Sequence, residues 1–307
     1  MAGPVVVLAG GTGGAQLARG MLDAVGDDLV VIANTADDVE IYGAHVSPDP
    51  DLVLYWLADR IDERGWGLRG DTFAVMGGLR ELGVDVWFQL GDRDLAVGLR
   101  RRQRLEAGAR LTEALAELGS ALGVAVRVVP MSDDPVRTRV CFDGRWWPFQ
   151  EYMIRAGAGE PVDEVALDGV QGAVPAPEAL AAIAAARAIV IGPSNPVISI
   201  GPILAVPGMR EALRAAPAAV VAVSPLVHGE AVKGPTGPFL AWAGLEPSAD
   251  GIAAAYEGVI DGLVADERTD RVPVLETDML MAGAAGRRRL AEEALRFAEA
   301  LTPGGNS

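Results

Sequence analysis

The sequence has few of the residues on which several kinds of active site depend. Its 307 residues include one cysteine, Cys141, and two histidines, His45 and His228. One cysteine excludes an internal disulfide and is typical of the reducing cytoplasm, where we expect this chain. These three residues provide neither the spacing of a zinc site nor a Ser-His-Asp triad. We therefore expect each histidine to be structural.

Positive charge is also scarce. The chain has 26 Lys and Arg residues against 42 Asp and Glu, a formal net charge of −16, and Lys233 is its one lysine. A protein that binds nucleic acid needs a basic face, so this acidic chain is a poor candidate for that class. A phosphate-bearing ligand would require either locally concentrated arginines or a divalent cation that bridges carboxylate and phosphate. The run Arg100-Arg101-Arg102 is predicted to lie on a solvated helix face.

Long apolar runs are missing as well. None approaches the roughly 18–20 residues that span a bilayer, and the first residues lack the basic segment and cleavage site of a secretion signal. We therefore expect no membrane partner. Half of the residues are apolar, which is enough to fill a sizeable core. We predict a single α/β domain over 1–307 with a frayed tail at 303–307.

Short β-branched runs alternate with amphipathic stretches. Residues 5–9 have the pattern of a buried strand, 10–14 of a loop, 15–25 of a helix and 29–33 of a second strand. This βαβ unit predicts a Rossmann-like parallel sheet with helices on both faces. Further strands are predicted at 84–90, 124–130, 188–192 and 218–224, and helices at 51–62, 72–82, 95–122, 177–187, 208–216, 248–258 and 278–301.

A different pattern interrupts this alternation. Residues 136–142 alternate in polarity, Asp143-Gly144 is typical of a tight I′ turn, and 145–149 return with two tryptophans. We predict a β-hairpin within a small subdomain at 136–170, inserted into the α/β core.

Polar loops follow the predicted strands one after another. In a parallel sheet such loops share the edge formed by the carboxyl ends of the strands, where ligands bind. Six of them in one chain predict that this edge is the active site. The loops are Gly10-Gly11-Thr12-Gly13-Gly14, Asn34-Thr35-Ala36-Asp37-Asp38, Gly91-Asp92-Arg93-Asp94, Met131-Ser132-Asp133-Asp134, Gly192-Pro193-Ser194-Asn195-Pro196, and Ser224-Pro225 leading to His228-Gly229.

The glycine loop indicates phosphate binding without specifying the chemistry. Its backbone can approach a phosphate, and the helix that follows supplies amide donors. A dinucleotide fingerprint would need a third glycine where Gln16 stands, and no Gly-Lys-Ser/Thr follows as in a P-loop. A tight strand-to-helix turn is the alternative explanation.

Carboxylates recur in these loops. Asp37 and Asp38 are suited to hold Mg²⁺ or to orient a hydroxyl nucleophile. Asp49 and Asp51 precede a predicted helix, and one of them would cap it, but their closeness in sequence makes a shared acidic pocket plausible. Helix capping and solvated charge are the alternative explanation for any single aspartate.

Other polar side chains are candidates for contacts with phosphate, ribose or base. Arg93 is suited to pair with a phosphate, with a surface ion-pair cluster as the alternative. Ser132 with Asp133, and Ser194 with Asn195, lie in the later loops. Four tryptophans are mostly candidates for the core, although one or two could instead stack on a flat heterocycle; they are Trp66, Trp87, Trp146 and Trp147.

Taken together and in this order, the loops, with Ser47-Pro48-Asp49, resemble the 2-phospho-L-lactate transferase family, over about residues 5–267. That family includes phosphoenolpyruvate-using members of coenzyme F420 biosynthesis. The resemblance implies a guanosine diphosphate ester of lactate or enolpyruvate as donor and the ribityl hydroxyl of the deazaflavin Fo as acceptor. It also implies GMP as product, a Mg²⁺ requirement, a Rossmann-like core and a homodimer. Asp51 and Gln89 match positions that contact Fo in the family.

The residues suit such a reaction, since substitution at phosphorus by an alcohol needs charge neutralisation and a positioned hydroxyl. Glycine amides, Arg93 and Mg²⁺ held by Asp37 and Asp49 would neutralise the phosphates. A carboxylate among Asp37, Asp38 and Asp51 would serve as base or metal ligand. With no candidate covalent nucleophile, our hypothesis is direct in-line attack.

Two alternatives remain at this level. One is an NAD(P)-dependent oxidoreductase on the same fold, although the missing third glycine argues against it. The other is a non-catalytic nucleotide-binding regulator, although the number of carboxylate-rich loops favours an enzyme. The choice between phospholactate and phosphoenolpyruvate is open.

Overall fold

The structure is a computed structural model that describes residues 3–231 and 234–302. Lys233 and the predicted frayed tail at 303–307 lie outside the described residues. The strands are β1 Val5–Ala9, β2 Leu29–Ala33, β3 Val39–Ile41, β4 Ala44–Val46, β5 Arg127–Pro130, β6 Arg137–Phe142, β7 Arg145–Pro148, β8 Glu164–Asp168, β9 Ala188–Ile191, β10 Val220–Val223, β11 Leu226–Val227, β12 Glu230–Ala231, β13 Gly262–Ala265 and β14 Val274–Glu276. The helices are α1 Gly11–Val25, α2 Pro48–Leu57, α3 Ala74–Glu81, α4 Asp92–Glu106, α5 Leu111–Leu122, α6 Phe149–Ile154, α7 Pro177–Ala185, α8 Gly201–Ala205, α9 Met209–Arg214, α10 Thr236–Trp242, α11 Ala249–Ala255 and α12 Gly283–Leu301.

Seven parallel strands form the central sheet, in the order β14-β13-β10-β9-β1-β2-β5. Strand β1 lies between β2 and β9, with Val5 opposite Leu29 and Ala188. All five residues of β1 are buried, because helices cover both faces of a parallel sheet. The α/β prediction and the parallel Rossmann-like sheet are confirmed.

The core divides between the two faces of the sheet. Val5 and Val7 point to one face, where α1, α2, α5 and α12 pack. Val6 and Leu8 point to the other, against α7, α9 and α11. This alternation follows from the period of two along a strand. Because the helices cover the two faces of the sheet, the polar loops lie at the ends of the strands.

The predicted strand at 84–90 is wrong. No strand of the described chain covers these residues, which run between α3 and α4. Val86 and Phe88 pack instead against a small cluster that includes Met76 and Leu90, and the Phe88 N–H donates to Tyr42 Oη at 3.1 Å. The alternating pattern therefore reflects packing on this cluster and not a place in the sheet.

The predicted helix at 95–122 is two helices, α4 and α5. Gly108 has a φ of +88°, which favours glycine and ends α4. Asp133 then caps α5, because its Oδ1 accepts from the Thr112 N–H at 2.8 Å.

The predicted hairpin is present, with Asp143 and Gly144 both at positive φ in its turn. Strand β6 pairs with β7 on one side and with β8 on the other, so the insertion contains a three-stranded antiparallel sheet. Helix α6 follows β7 directly. Among the described residues, no helix combines the length and apolarity needed to cross a membrane.

Candidate active site

A cavity of about 810 Å³ lies at the carboxyl edge of the sheet, where the loops after β1, β2, β9 and β10 meet. Helix α6 of the insertion and the start of α2 form other parts of its wall. Of the predicted loops, the one after β5 is not among the described lining residues. The predicted edge therefore carries a cavity of a size typical of ligand sites.

The glycines after β1 begin α1 and do not form the separate loop that was predicted. A Cβ on Gly13 would collide with the Pro193 carbonyl oxygen, and one on Gly14 would crowd Ala9 and Ser194. Close packing between the loops after β1 and β9 therefore explains these two glycines. Gly10 to Gly13 still line the cavity, and the start of a 15-residue helix favours negative charge there.

Ser194 joins these two loops. Its Oγ accepts from the Gly14 N–H at 3.0 Å and donates to the Gly10 carbonyl. The Asn195 Oδ1 accepts from the N–H groups of Val197 and Ile198, at 2.8 and 3.2 Å. Its Nδ2 is buried without a hydrogen-bond partner in the described part of the chain. Both residues lie on the cavity wall as predicted.

Two buried carboxylates, Asp37 and Asp49, line the cavity. Asp49 accepts from the Gly11 N–H at 2.7 Å and from Asn34 Nδ2 at 2.9 Å, whereas Asp37 is contacted by Thr138 Oγ1 at 3.4 Å and by the Asn34 side chain. Burial raises the pKa of Asp37 well above its usual value, and the charges of Asp49 and Asp38 add to this. Burial likewise raises the pKa of Asp49, to about 6.

Asp51 also lines the cavity, but a buried arginine holds it. Arg101 donates from Nη1 to Asp51 Oδ2 at 3.1 Å and from Nη2 to Asp51 Oδ1. The same Nη1 donates to the His45 carbonyl at 2.8 Å. Burial raises the pKa of Asp51, and the Arg101 guanidinium opposes that rise. The solvated position predicted for Arg101 is wrong, since its side chain is fully buried.

Asp38 lies behind the cavity wall. Its oxygens accept from Ser47 Oγ at 2.6 Å and contact His45 Nε2 at 2.9 Å. The other His45 nitrogen lies 3.2 Å from Glu40. Burial disfavours the charged imidazole, but the hydrogen bonds to Asp38 and Glu40 outweigh it and raise the His45 pKa. Asp38 lines a smaller cavity of about 410 Å³ and is not among the described residues that line the main one; its role as base or metal ligand stays a prediction.

A tyrosine–carboxylate pair that was not predicted from the sequence lies on the main cavity wall. Tyr55 Oη donates to Asp94 Oδ1 at 2.6 Å. Burial and the Asp51 charge raise the pKa of Asp94 to about 6. Gln89 also lines the main cavity, and its Oε1 accepts a hydrogen bond from Arg80.

Three predicted contact residues lie elsewhere. Arg93 is exposed and its backbone N–H donates to Asp71, so it does not face the cavity. Ser132 Oγ donates to the Val174 carbonyl at 2.6 Å. Asp133 caps α5 and pairs with Arg110. Ser132 and Asp133 therefore stabilise a loop and a helix start, whereas the contact at Arg93 is made by its backbone.

Much of the cavity wall is apolar and aromatic. Trp66 and Phe88 line it on one side, and Phe149 and Met153 of the insertion contribute another part. Of the four tryptophans considered for stacking, Trp66 is the one among the described lining residues. Flat aromatic ligands suit such a wall.

The charge of the wall has one sign. Among the described lining residues there are four aspartates and no arginine, lysine or histidine. No group of three or more metal-ligating side chains occurs in the described ranges. Mg²⁺, however, commonly binds through one or two carboxylates together with waters and substrate phosphates. Asp37 and Asp49, with their raised pKa values and no neighbouring cationic side chain on the described wall, fit that kind of site.

A family model described as 2-phospho-L-lactate transferase CofD matches residues 5–284. The chain belongs to the CofD family. It is therefore a transferase, and the oxidoreductase alternative is excluded. The match includes each wall segment described above.

Curated relatives with two names are similar to this CofD-family chain along most of its length. A phosphoenolpyruvate transferase of Kitasatospora aureofaciens is 42% identical, with 94% of this chain and 97% of the relative covered. A 2-phospho-L-lactate transferase of Methanopyrus kandleri is 40% identical, with coverage of 97% and 98%. The two sequence identities are too similar to indicate whether the donor is phosphoenolpyruvate or 2-phospho-L-lactate.

Among solved structures, a protein of the UPF0052 family from Bacillus halodurans matches with a TM-score of 0.64 and 18% identity, over 96% of this chain and 99% of that one. At this identity the likeness concerns the fold alone.

Proposed function

We propose that this enzyme transfers the phosphoenolpyruvyl or 2-phospho-L-lactyl group from its guanosine diphosphate ester to the ribityl hydroxyl of the deazaflavin Fo, as a step of coenzyme F420 biosynthesis. The products are GMP and coenzyme F420-0, or its dehydro form. One observation carries the proposal within the CofD family: a single cavity combines a helix start, buried carboxylates and an aromatic wall. These parts suit phosphates, a reacting hydroxyl and a flat heterocycle.

The reaction is a substitution at phosphorus. The ribityl oxygen bonds to the phosphorus that carries the lactyl or enolpyruvyl ester, the bond from this phosphorus to GMP oxygen breaks, and the hydroxyl proton passes to a base. The base is a cavity carboxylate, which is Asp51 if Asp37 coordinates a metal ion and Asp37 otherwise, since Asp38 lies behind the wall. A carboxyl group with a raised pKa is a better general base than an ordinary one. The amides at the start of α1 and the buried amide of Asn195 orient the phosphates.

Mg²⁺ is part of the proposal. Phosphates entering a wall of four aspartates need positive charge, and the described wall supplies no cationic side chain. Asp37 and Asp49 would hold the ion, which supplies charge neutralisation at the phosphates. The homodimer and the cytoplasmic location stay predictions from the resemblance and from the single cysteine.

Mg²⁺ is expected to stabilise the protein in a pH-dependent way. Because burial raises the pKa of Asp49 to about 6, the metal-free protein should lose stability as pH rises from about 4 through 6. Mg²⁺ binds the ionised carboxylates, so at a hundredfold excess over its dissociation constant it should raise Tm by about 5 °C at pH 7.5. At pH 5 the rise should be much smaller.

Thermal melts with and without MgCl₂ at both pH values check this expectation. The Asp85→Asn variant is the matched control, since Asp85 pairs with Arg155 on the surface and this substitution should preserve the Mg²⁺ effect. An equal rise at both pH values, or a rise that survives in the Asp37→Asn, Asp49→Asn double variant, would contradict the site.

The assay of the proposed function combines Fo, Mg²⁺ and each guanosine diphosphate donor, with detection by mass spectrometry. We expect a product with the mass of Fo plus one phosphoester group, together with an equal amount of GMP. The donor that gives this product is the substrate of the enzyme. If the attack is direct and in line, the configuration at phosphorus should be inverted in the product. Fo binding without product from either donor would favour the non-catalytic regulator, and no Fo binding would overturn the proposal.

A further inference from the structure

The segment 277–282 connects β14 to α12 and carries no regular secondary structure. Its residues Met279 to Ala282 line the cavity. Strand β14 is an edge strand of the sheet, so this wall lacks a neighbouring strand on its outer side. Something other than the sheet must therefore hold the segment in place.

One arginine of α12 contacts the segment at several points. Arg289 Nη2 donates to the carbonyls of Asp278 and Leu280, at 2.6 and 3.3 Å. Its Nη1 donates to Thr277 Oγ1 at 3.1 Å and to Glu293 Oε2 at 2.8 Å. Asp278 Oδ2 also lies 3.5 Å from Nη2. Two backbone carbonyls and two side chains of the segment thus converge on a single guanidinium, whose planar shape suits several simultaneous bonds.

The helix behind this arginine is firmly packed. Leu290, Ala291 and Ala294 of α12 are completely buried against the sheet. Gly20 of α1 lies so close that a Cβ there would collide with the Arg287 carbonyl oxygen. Arg289 therefore connects the segment to a fixed helix, in addition to the packing of Met279 in the core.

We propose that Arg289 is a positioning residue, which fixes the 277–282 segment as the wall that binds the flat part of the acceptor. Met279 and Met281 make this wall apolar, and Leu280 is exposed beside them. Thioether and leucine side chains favour an aromatic surface over a phosphate. Arg289 itself lies beyond residue 284, where the match to the family model ends. The assignment to the acceptor rests on the proposed function, whereas the positioning does not.

The chain offers a closely matched control. Arg288 neighbours Arg289 on α12 and pairs with Glu292, four residues away, on the surface. Arg289→Gln removes the contacts to the 277–282 segment. Arg288→Gln removes an arginine of the same helix and leaves the contacts to the segment in place. Both side chains are at least partly exposed, so both variants should fold.

Two measurements test the proposal. Hydrogen exchange of the free enzyme should show peptides over 277–282 exchanging about tenfold faster in Arg289→Gln, because a locally opened segment exchanges faster. In steady-state assays this variant should raise KM for Fo about tenfold while kcat changes by less than about twofold, the pattern expected for lost ground-state binding. Arg289→Lys, which keeps the charge, should recover part of both effects, and Arg288→Gln should match the wild type.

The outcomes separate the two proposals. Wild-type enzyme that forms no product overturns the proposed function, while the exchange data still decide whether Arg289 positions the segment. Wild-type turnover with equal exchange in the Arg289 and Arg288 variants overturns the positioning role. Faster exchange with an unchanged KM for Fo and a raised KM for the donor would place the donor on this wall and overturn the acceptor assignment.

Discussion

Asp37→Asn is expected to lower kcat by about 10²–10⁴-fold while the protein remains folded. The substitution keeps the shape of the side chain and removes its charge. Asp37 lines the cavity, and its carboxylate is contacted by Thr138 at 3.4 Å and by the Asn34 side chain, which leaves it available to a cation or to a hydroxyl proton. An amide serves neither purpose well.

The same substitution should not cost stability. Burial and the charges of Asp49 and Asp38 disfavour an ionised Asp37, as its raised pKa indicates. A neutral amide removes that repulsion, so Tm of the metal-free variant at pH 7.5 should equal or exceed that of the wild type. Lost activity together with retained or increased stability is the signature of a group placed for function.

Asp85→Asn is the control, because it makes the same change at an exposed position outside the cavity. It should leave kcat within about twofold of the wild type. Near-normal turnover in Asp37→Asn would remove Asp37 from the mechanism. A variant that fails to fold would show that Asp37 serves the structure, and circular dichroism distinguishes these results.

The sheet and its functional edge could be predicted because their signals are local. Runs such as 5–9 and 188–191 are apolar throughout, which indicates strands covered on both faces. Loops after parallel strands must meet at one edge, so the order of strands and loops along the chain suffices to place Asp37 and Ser194 at the same edge. Residues 84–90 show the limit of this kind of prediction. Alternating apolar residues indicate that one face is buried, but they do not indicate which part of the protein covers it.

The roles of neighbouring residues could not be separated from sequence. Asp37 and Asp38 are adjacent, yet one faces the main cavity and the other accepts from Ser47 behind it. Asp133 and Arg93 have the residue types of a phosphate site, but only the fold shows that Asp133 caps α5 and that Arg93 is exposed while its neighbour Asp94 lines the cavity. Side-chain direction in irregular segments depends on long-range packing, which residue types do not encode.

Arg101 did leave a signal in the sequence. It lies four residues after Val97 and four before Leu105, on the apolar stripe of α4, and residues at this spacing share a helix face. A charge on a buried stripe indicates a buried partner. The run of three arginines concealed this, because Arg100 and Arg102 are the solvated residues that a charge run predicts.

Arg101→Met is expected to lower the free energy of unfolding by about 3–5 kcal/mol, because it leaves Asp51 buried without its cation. It also removes the hydrogen bond to the His45 carbonyl, which connects α4 to β4. Urea denaturation at pH 7.5 measures the change. Arg100→Met, at a position whose side chain is 55% exposed, should change the free energy by less than about 0.5 kcal/mol.

A second variant separates the charge from the packing. In the double variant Arg101→Met, Asp51→Leu the buried charge is gone from both sides, so much of the lost stability should return, since apolar replacements of buried ion pairs are often neutral. If the double variant is as unstable as Arg101→Met alone, the cost lies in packing and in the lost bond to β4. If Arg101→Met itself is nearly neutral, Asp51 is not held as an ion, and its place in the cavity wall cannot depend on this pair.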